Sequence, residues 1–171
     1  MSTQYKRHFI KSKKVKLLVR VISEKLKINH RTIFDGKDSM EIVSTNFGEI
    51  YLIKGSPLIV KTKEKLFPTL ISVKVLSLLP RVTVDMGAVP KVCNGANIMA
   101  PGIIRYDGEF MKGDLVLISD EKHGKTVAVG QAMYNMSEAK GIEEGVIVQN
   151  LHYVGDKIWT FIKKMEKRQK Q

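Results

Sequence analysis

From Arg81 onward, glycine and turn residues cut the chain into short runs of β-forming residues, and this spacing limits the fold more than any other feature. Val82-Thr83-Val84-Asp85, Leu115-Val116-Leu117-Ile118, Thr126–Met133, Gly145–Asn150 and Lys157-Ile158-Trp159-Thr160-Phe161 are each of strand length. Gly113-Asp114 and Glu121–Lys125 turn the chain between them. Gly87 to Asn94 interrupts the pattern as one or two helical turns, with Asp85 near the N-terminal end and Pro90 tolerable only in the first turn. The pattern predicts a small closed or nearly closed β-barrel over residues 81–160. A polar basic tail, 161–171, follows and is expected to fray.

Residues 1–80 read differently, as an α+β domain. Val15, Leu18, Val19, Ile22 and Leu26 form one apolar stripe at helical spacing, with Ser12 as the expected N-cap. Lys13, Lys14, Lys16, Arg20, Lys25 and Lys27 fill the remaining arc, and the aliphatic stripe suits packing on a sheet better than lying on a membrane. Met40–Ser44, Glu49–Ile53 and Leu58–Thr62 are expected strands, the last two joined by a turn at Lys54–Pro57. Pro68 is expected in the first turn of a helix over Thr69–Leu79, for which a strand is the alternative; Pro80 ends it.

Charge divides at the same place. The 171 residues carry a net +12. Residues 1–80 hold 16 Lys/Arg against 6 Asp/Glu, residues 81–160 hold 8 against 10, and residues 161–171 hold 5 against 1. An excess of this size suggests a polyanionic partner, and its sources are the first half and the tail. No apolar run approaches a membrane span, and the segment MSTQYKRHFIKSKK has no following apolar region or cleavage site, so an uncleaved, cytoplasmic protein is expected. A single cysteine, Cys93, excludes an intrachain disulfide, and it fits a small buried residue. His8, His30, His123 and His152 are too scattered for a zinc site, and no phosphate-binding or dinucleotide-binding glycine motif is present. Asp85 and Asp114 fit caps and turns, and no catalytic role or cofactor is expected.

The segment GANIMAPGI, residues 95–103, matches no regular element. Two uses fit it. It plugs one end of the barrel, with Ile98 and Met99 in the core, or it offers a slender main chain to a ligand, with Ile98, Met99 and Pro101 as apolar walls.

Asp85-Met86-Gly87-Ala88-Val89, Asn94–Ile103, Lys112-Gly113-Asp114 and Ala128-Val129-Gly130, followed by Asn150–Trp159, resemble in order and spacing the PUA domain, the RNA-binding module of pseudouridine synthases and archaeosine transglycosylases. The N-terminal half resembles a pre-PUA domain. Together they look most like the archaeal members of the family that includes the malignant T-cell-amplified sequence protein. The fold class implied is an α+β domain followed by a mainly-β PUA pseudo-barrel. The role implied is a non-enzymatic RNA-binding protein in translation initiation, reinitiation or recycling, with tRNA or rRNA, the small ribosomal subunit and a partner carrying an initiation-factor-like domain. The RNA-contacting positions implied in the second half are Gly87, Ala88, Lys91, Asn94, Gly95, Ala96, Asn97, Met99, Pro101 and Gly102. There the glycines let a backbone approach, and the short helix offers N–H groups to phosphate. Because residues 81–160 are net acidic, Lys13, Lys14, Lys16 and Arg20 of the first half, with the tail, must supply the attraction to phosphates. Few aromatics are available for stacking, so shape and backbone recognition is expected over base readout. An accessory subunit of an RNA-modification enzyme, or a protein–protein adaptor, stays open as an alternative; a pseudouridine synthase itself does not, because 80 residues cannot hold its catalytic domain.

Overall fold

A computed structural model describes residues 5–171, so residues 1–4, the start of the segment expected to carry no cleavable leader, lie outside it. The chain divides into two compact units after Leu78, next to the Pro80 at which the charge pattern changes.

The first unit opens with β1 (Lys6–Phe9), α1 (Ser12–Leu26) and α2 (His30–Ile33). It continues through β2 (Met40–Ser44), β3 (Glu49–Ile53), β4 (Ser56–Lys61), β5 (Leu66–Pro68) and the single turn α3 (Val73–Leu76). The strands lie in chain order as a five-stranded antiparallel sheet. β2 and β3 fall where the sequence places them. The hairpin partner of β3, β4, follows a two-residue turn, Lys54-Gly55, in which both φ angles are positive (51° and 77°), the turn whose twist matches that of the strands. Val15, Val19, Ile22 and Leu26 of α1 are buried, while Leu18 is only half-buried.

Three expectations for this unit are corrected. Ser12 is the first helical residue and Lys11 holds the cap position, with no side-chain cap bond. Leu66–Pro68 is an edge strand, where a missing N–H costs no ladder bond, and only Val73–Leu76 of the segment expected to be helical forms a helix. Lys6–Phe9, read only as charged, is a strand. It pairs with β2 across the intervening helices, and Arg7 reaches over to Glu41, donating from Nη2 to Oε1 at 3.1 Å.

The second unit runs through β6 (Arg81–Val84), α4 (Val89–Val92), β7 (Ile98–Met99), a 3-10 turn (Ala100–Gly102) and β8 (Ile103–Asp107). It then adds β9 (Leu115–Asp120), β10 (Thr126–Ala132), α5 (Met136–Ala139), β11 (Val146–Tyr153) and α6 (Lys157–Gln169). Its six strands are ordered β7-β11-β10-β9-β6-β8, all antiparallel except β6 with β9. The two edges of this sheet, β7 and β8, are consecutive in the chain and joined only by the turn Ala100–Gly102. Three residues span about 10 Å at most, so the sheet curls until its edges meet. Bulges in β10 and β11 supply the curvature. Gly130 sits at one of them, where a Cβ would lie 2.4 Å from Val148 Cγ1 and 2.7 Å from the Gln149 carbonyl oxygen. Val82, Val84, Phe110, Val116, Ile118 and Ile147 fill the interior.

The C-terminal segment differs from its expectation. Lys157–Phe161 is not a strand; Lys157–Gln169 form one helix that takes in most of the expected tail. Asp156 caps it, accepting from Trp159 N at 2.7 Å, and Ile158, Ile162 and Met165 recur at i, i+4 and i+7 on its buried face.

Candidate nucleic-acid interface

α4 is a single turn held at both ends by named bonds. Asp85 Oδ1 accepts from Ala88 N at 2.7 Å, and Asp85 N donates to the Gly102 carbonyl at 2.9 Å. At the far end, Ala96 N donates to the Lys91 carbonyl and Gly95 N to the Val92 carbonyl, both at 3.0 Å, the paired bonds of a Schellman stop. Gly95 has the left-handed φ that this stop demands, +93°, and a Cβ there would lie 3.1 Å from Tyr153 Oη. The need for glycine at Gly95 is therefore met inside the protein, before any ligand is considered. At Gly102 the reason is close approach, since a Cβ would lie 3.2 Å from that of Ala88.

Asn150 on β11 ties the following loop to the barrel. Its Nδ2 donates to the carbonyls of Val92 (3.0 Å) and Ala96 (2.9 Å), and its backbone N–H donates to Asn97 Oδ1 at 3.0 Å. Ala100 N donates to the Gly145 carbonyl at 2.9 Å, which brings the Glu144-Gly145 corner alongside.

Between these ties lies an open cavity of about 730 Å³. Gly87, Ala88, Lys91, Ala96, Asn97, Met99, Pro101 and Gly102, all singled out from sequence, line it; Asn94 and Gly95 do not. Asp85, Glu144 and Gly145 line it as well and were not anticipated as contacts. Asp85 was read only as a cap. Glu144 and Gly145 arrive from the β11 end of the chain, and no local pattern marks them. The two uses foreseen for GANIMAPGI divide within it: Ile98 is buried in the core at 1% exposure, while Met99 stands 46% exposed at the rim.

Lys91 is the cavity's one cation among the described residues, against the carboxylates of Asp85 and Glu144. Of the N–H groups at the start of α4, that of Ala88 is spent on Asp85. Apart from the amide of Asn97, the remaining side chains of the walls are apolar, among them Val84, Val92, Ile98, Met99 and Pro101. Such a cavity suits a flat, weakly charged group with hydrogen-bonding edges better than a bare phosphate. Cys93 beside it is half-buried, and burial pushes its thiol up, away from nucleophile chemistry.

At the end of β11, His152 is fully buried with Nδ1 2.7 Å from Asp156 Oδ2. Burial pushes the Asp156 carboxyl up, but His152 and the N–H groups of Trp159 and Tyr153 outweigh it and hold the carboxyl below the ordinary range. These bonds fix the turn between β11 and α6.

In the first unit, Lys13, Lys14, Lys16 and Arg20 are exposed on α1. Lys16 and Arg20 line a cavity of about 920 Å³ with Lys27, His30, Arg31 and the apolar Ile28 and Phe34. Arg20 Nε donates to Glu24 Oε1 at 3.1 Å; Lys13 and Lys14 lie away from that cavity.

Residues 80–154 match the PUA domain family, and residues 6–74 match a domain of unknown function, DUF1947. An uncharacterized protein of Methanocaldococcus jannaschii is 40% identical over 157 residues, which cover 91% of this chain and 96% of that one. Translation machinery-associated protein 20 of Saccharomyces cerevisiae is 32% identical over 120 residues, 66% of each chain. A probable tRNA pseudouridine synthase B of Pyrobaculum aerophilum is 38% identical over 71 residues, only 21% of that enzyme. The crystal structure of a hypothetical protein from Pyrococcus horikoshii superposes over 92% of this chain and 99% of its own, with a TM-score of 0.77 and 30% identity. The chain thus belongs to the family of proteins in which a DUF1947 domain precedes a PUA domain.

Proposed function

We propose that the protein binds RNA without catalysing a reaction and acts in translation, on tRNA or on the rRNA of the small ribosomal subunit. Residues 1–80 and 81–160 serve as two modules of one binder. In the second, the cavity seats one nucleoside: Met99 and Pro101 cover its face, Asn97, Asp85 and Glu144 offer polar contacts to its edges, and Lys91 meets the adjoining phosphate. In the first, Lys13, Lys14, Lys16 and Arg20 hold phosphates along α1.

The observation that carries this function is the cavity itself, whose open mouth, small-residue floor and apolar walls suit a nucleoside and whose charge is too low to hold a free anion. The likeness to translation machinery-associated protein 20, which spans parts of both halves, supports the setting in translation. An initiation-factor-like protein partner is compatible with it. The test is crosslinking in cells followed by sequencing of the attached RNA. Reads concentrated in tRNA or small-subunit rRNA support the proposal; reads spread in proportion to RNA abundance contradict it.

A further inference from the structure

The helix α6, packed on β11, carries an unbalanced cationic face. Lys164, Lys167 and Arg168, with Lys170 directly after the last helical residue, are exposed and have no carboxylate partner among the described residues. Lys163, by contrast, meets Glu166 at 3.7 Å and lies 5.7 Å from the Trp159 ring centre. Lys164 with Lys167 and Lys164 with Arg168 place like charges three and four residues apart, an arrangement that disfavours an isolated helix. The helix forms because Ile158, Ile162 and Met165 are buried and Asp156 caps it. Its mount is β11, the strand whose Asn150 ties down the cavity loop.

We infer that the outward face of α6 is a second phosphate-contacting surface of the PUA unit, taking the backbone of the RNA whose nucleoside occupies the cavity. The inference holds only if the protein binds RNA as proposed above. An ordered row of cations gives what the nearly neutral cavity lacks, and a polyanion laid on it relieves the repulsion along the helix. A frayed tail would have to be ordered on binding, at an entropic cost the helix has already met.

The experiment is a salt titration of binding to an end-labelled tRNA transcript, using the full chain. The variant replaces Lys164, Lys167, Arg168 and Lys170 with glutamine, which keeps helix propensity and leaves the buried face intact. Circular dichroism checks the fold, and a companion variant with arginine at the three lysine positions keeps the charge. The expected result is a slope of log K against log salt that is shallower by about 2 or more for the glutamine variant, with the arginine variant like wild type. An unchanged slope in the glutamine variant, with Met99→Glu still weakening binding, overturns the inference and leaves the RNA-binding proposal standing; the face then suits an acidic protein. If the wild-type chain does not bind the transcript or small-subunit rRNA at any salt, the function fails and the inference with it.

Discussion

Asn150 donates from Nδ2 to the carbonyl oxygen of Ala96 at 2.9 Å, so a strand late in the chain fixes the loop that opens the cavity. Replacing Asn150 with Asp puts an acceptor against the carbonyls of Ala96 and Val92 in place of a donor. The expected cost is about 2–3 kcal/mol of stability, read by denaturant unfolding, with weaker RNA binding as the loop loosens.

Gly95→Ala is expected to cost about 1–2 kcal/mol. It strains a φ of +93° and brings a Cβ to 3.1 Å from Tyr153 Oη. Gly95→Val costs more and reports on the stop of α4, so loss of binding in that variant does not identify a contact. Thermal unfolding of both variants beside wild type checks the order.

Gly130→Ala is expected to be among the most damaging small substitutions. The new methyl meets Val148 Cγ1 at 2.4 Å and backbone oxygen of Gln149 at 2.7 Å, and only the first can be relieved by trimming a side chain. A loss of about 1–3 kcal/mol is expected, and Val148→Ala in the same chain restores only part of it.

Asp156 links stability to acid. Its folded carboxyl titrates below the ordinary value of 3.8, so its contribution is complete above that pH and is lost as pH falls through the folded value. Fluorescence of Trp159, the single tryptophan, reads this transition at the first turn of α6. Asp156→Ala removes both the cap and the carboxylate facing buried His152, and is expected to cost about 1–3 kcal/mol and to flatten the acid dependence.

What the sequence made legible was local. β2 and β3 follow from runs of β-formers, and the reversal expected over Lys54–Pro57 takes only Lys54-Gly55, so β4 starts at Ser56; the partners are neighbours in the chain. β1 escaped because Lys6–Phe9 is exposed throughout and its partner lies beyond two helices. At α6 the short β-forming run Lys157–Phe161 reads as a strand by itself, but Asp156 as cap and Ile158, Ile162 and Met165 at helical spacing are the stronger signal. In the cavity, the positions near α4 were legible because one short stretch supplies them. Glu144 and Gly145 were not, since only the fold back along β11 brings them there. Asn94 and Gly95 belong to the same stretch but serve the end of α4, with Gly95 against Tyr153.

On this reading the cavity beside α4 receives RNA. The most direct measurement is the equilibrium affinity of the full chain for a tRNA transcript, comparing wild type with Met99→Glu and Lys91→Glu, both exposed positions that leave the core untouched. Each variant is expected to fold as wild type and to bind about tenfold or more weakly. Unchanged affinity in both would contradict the claim.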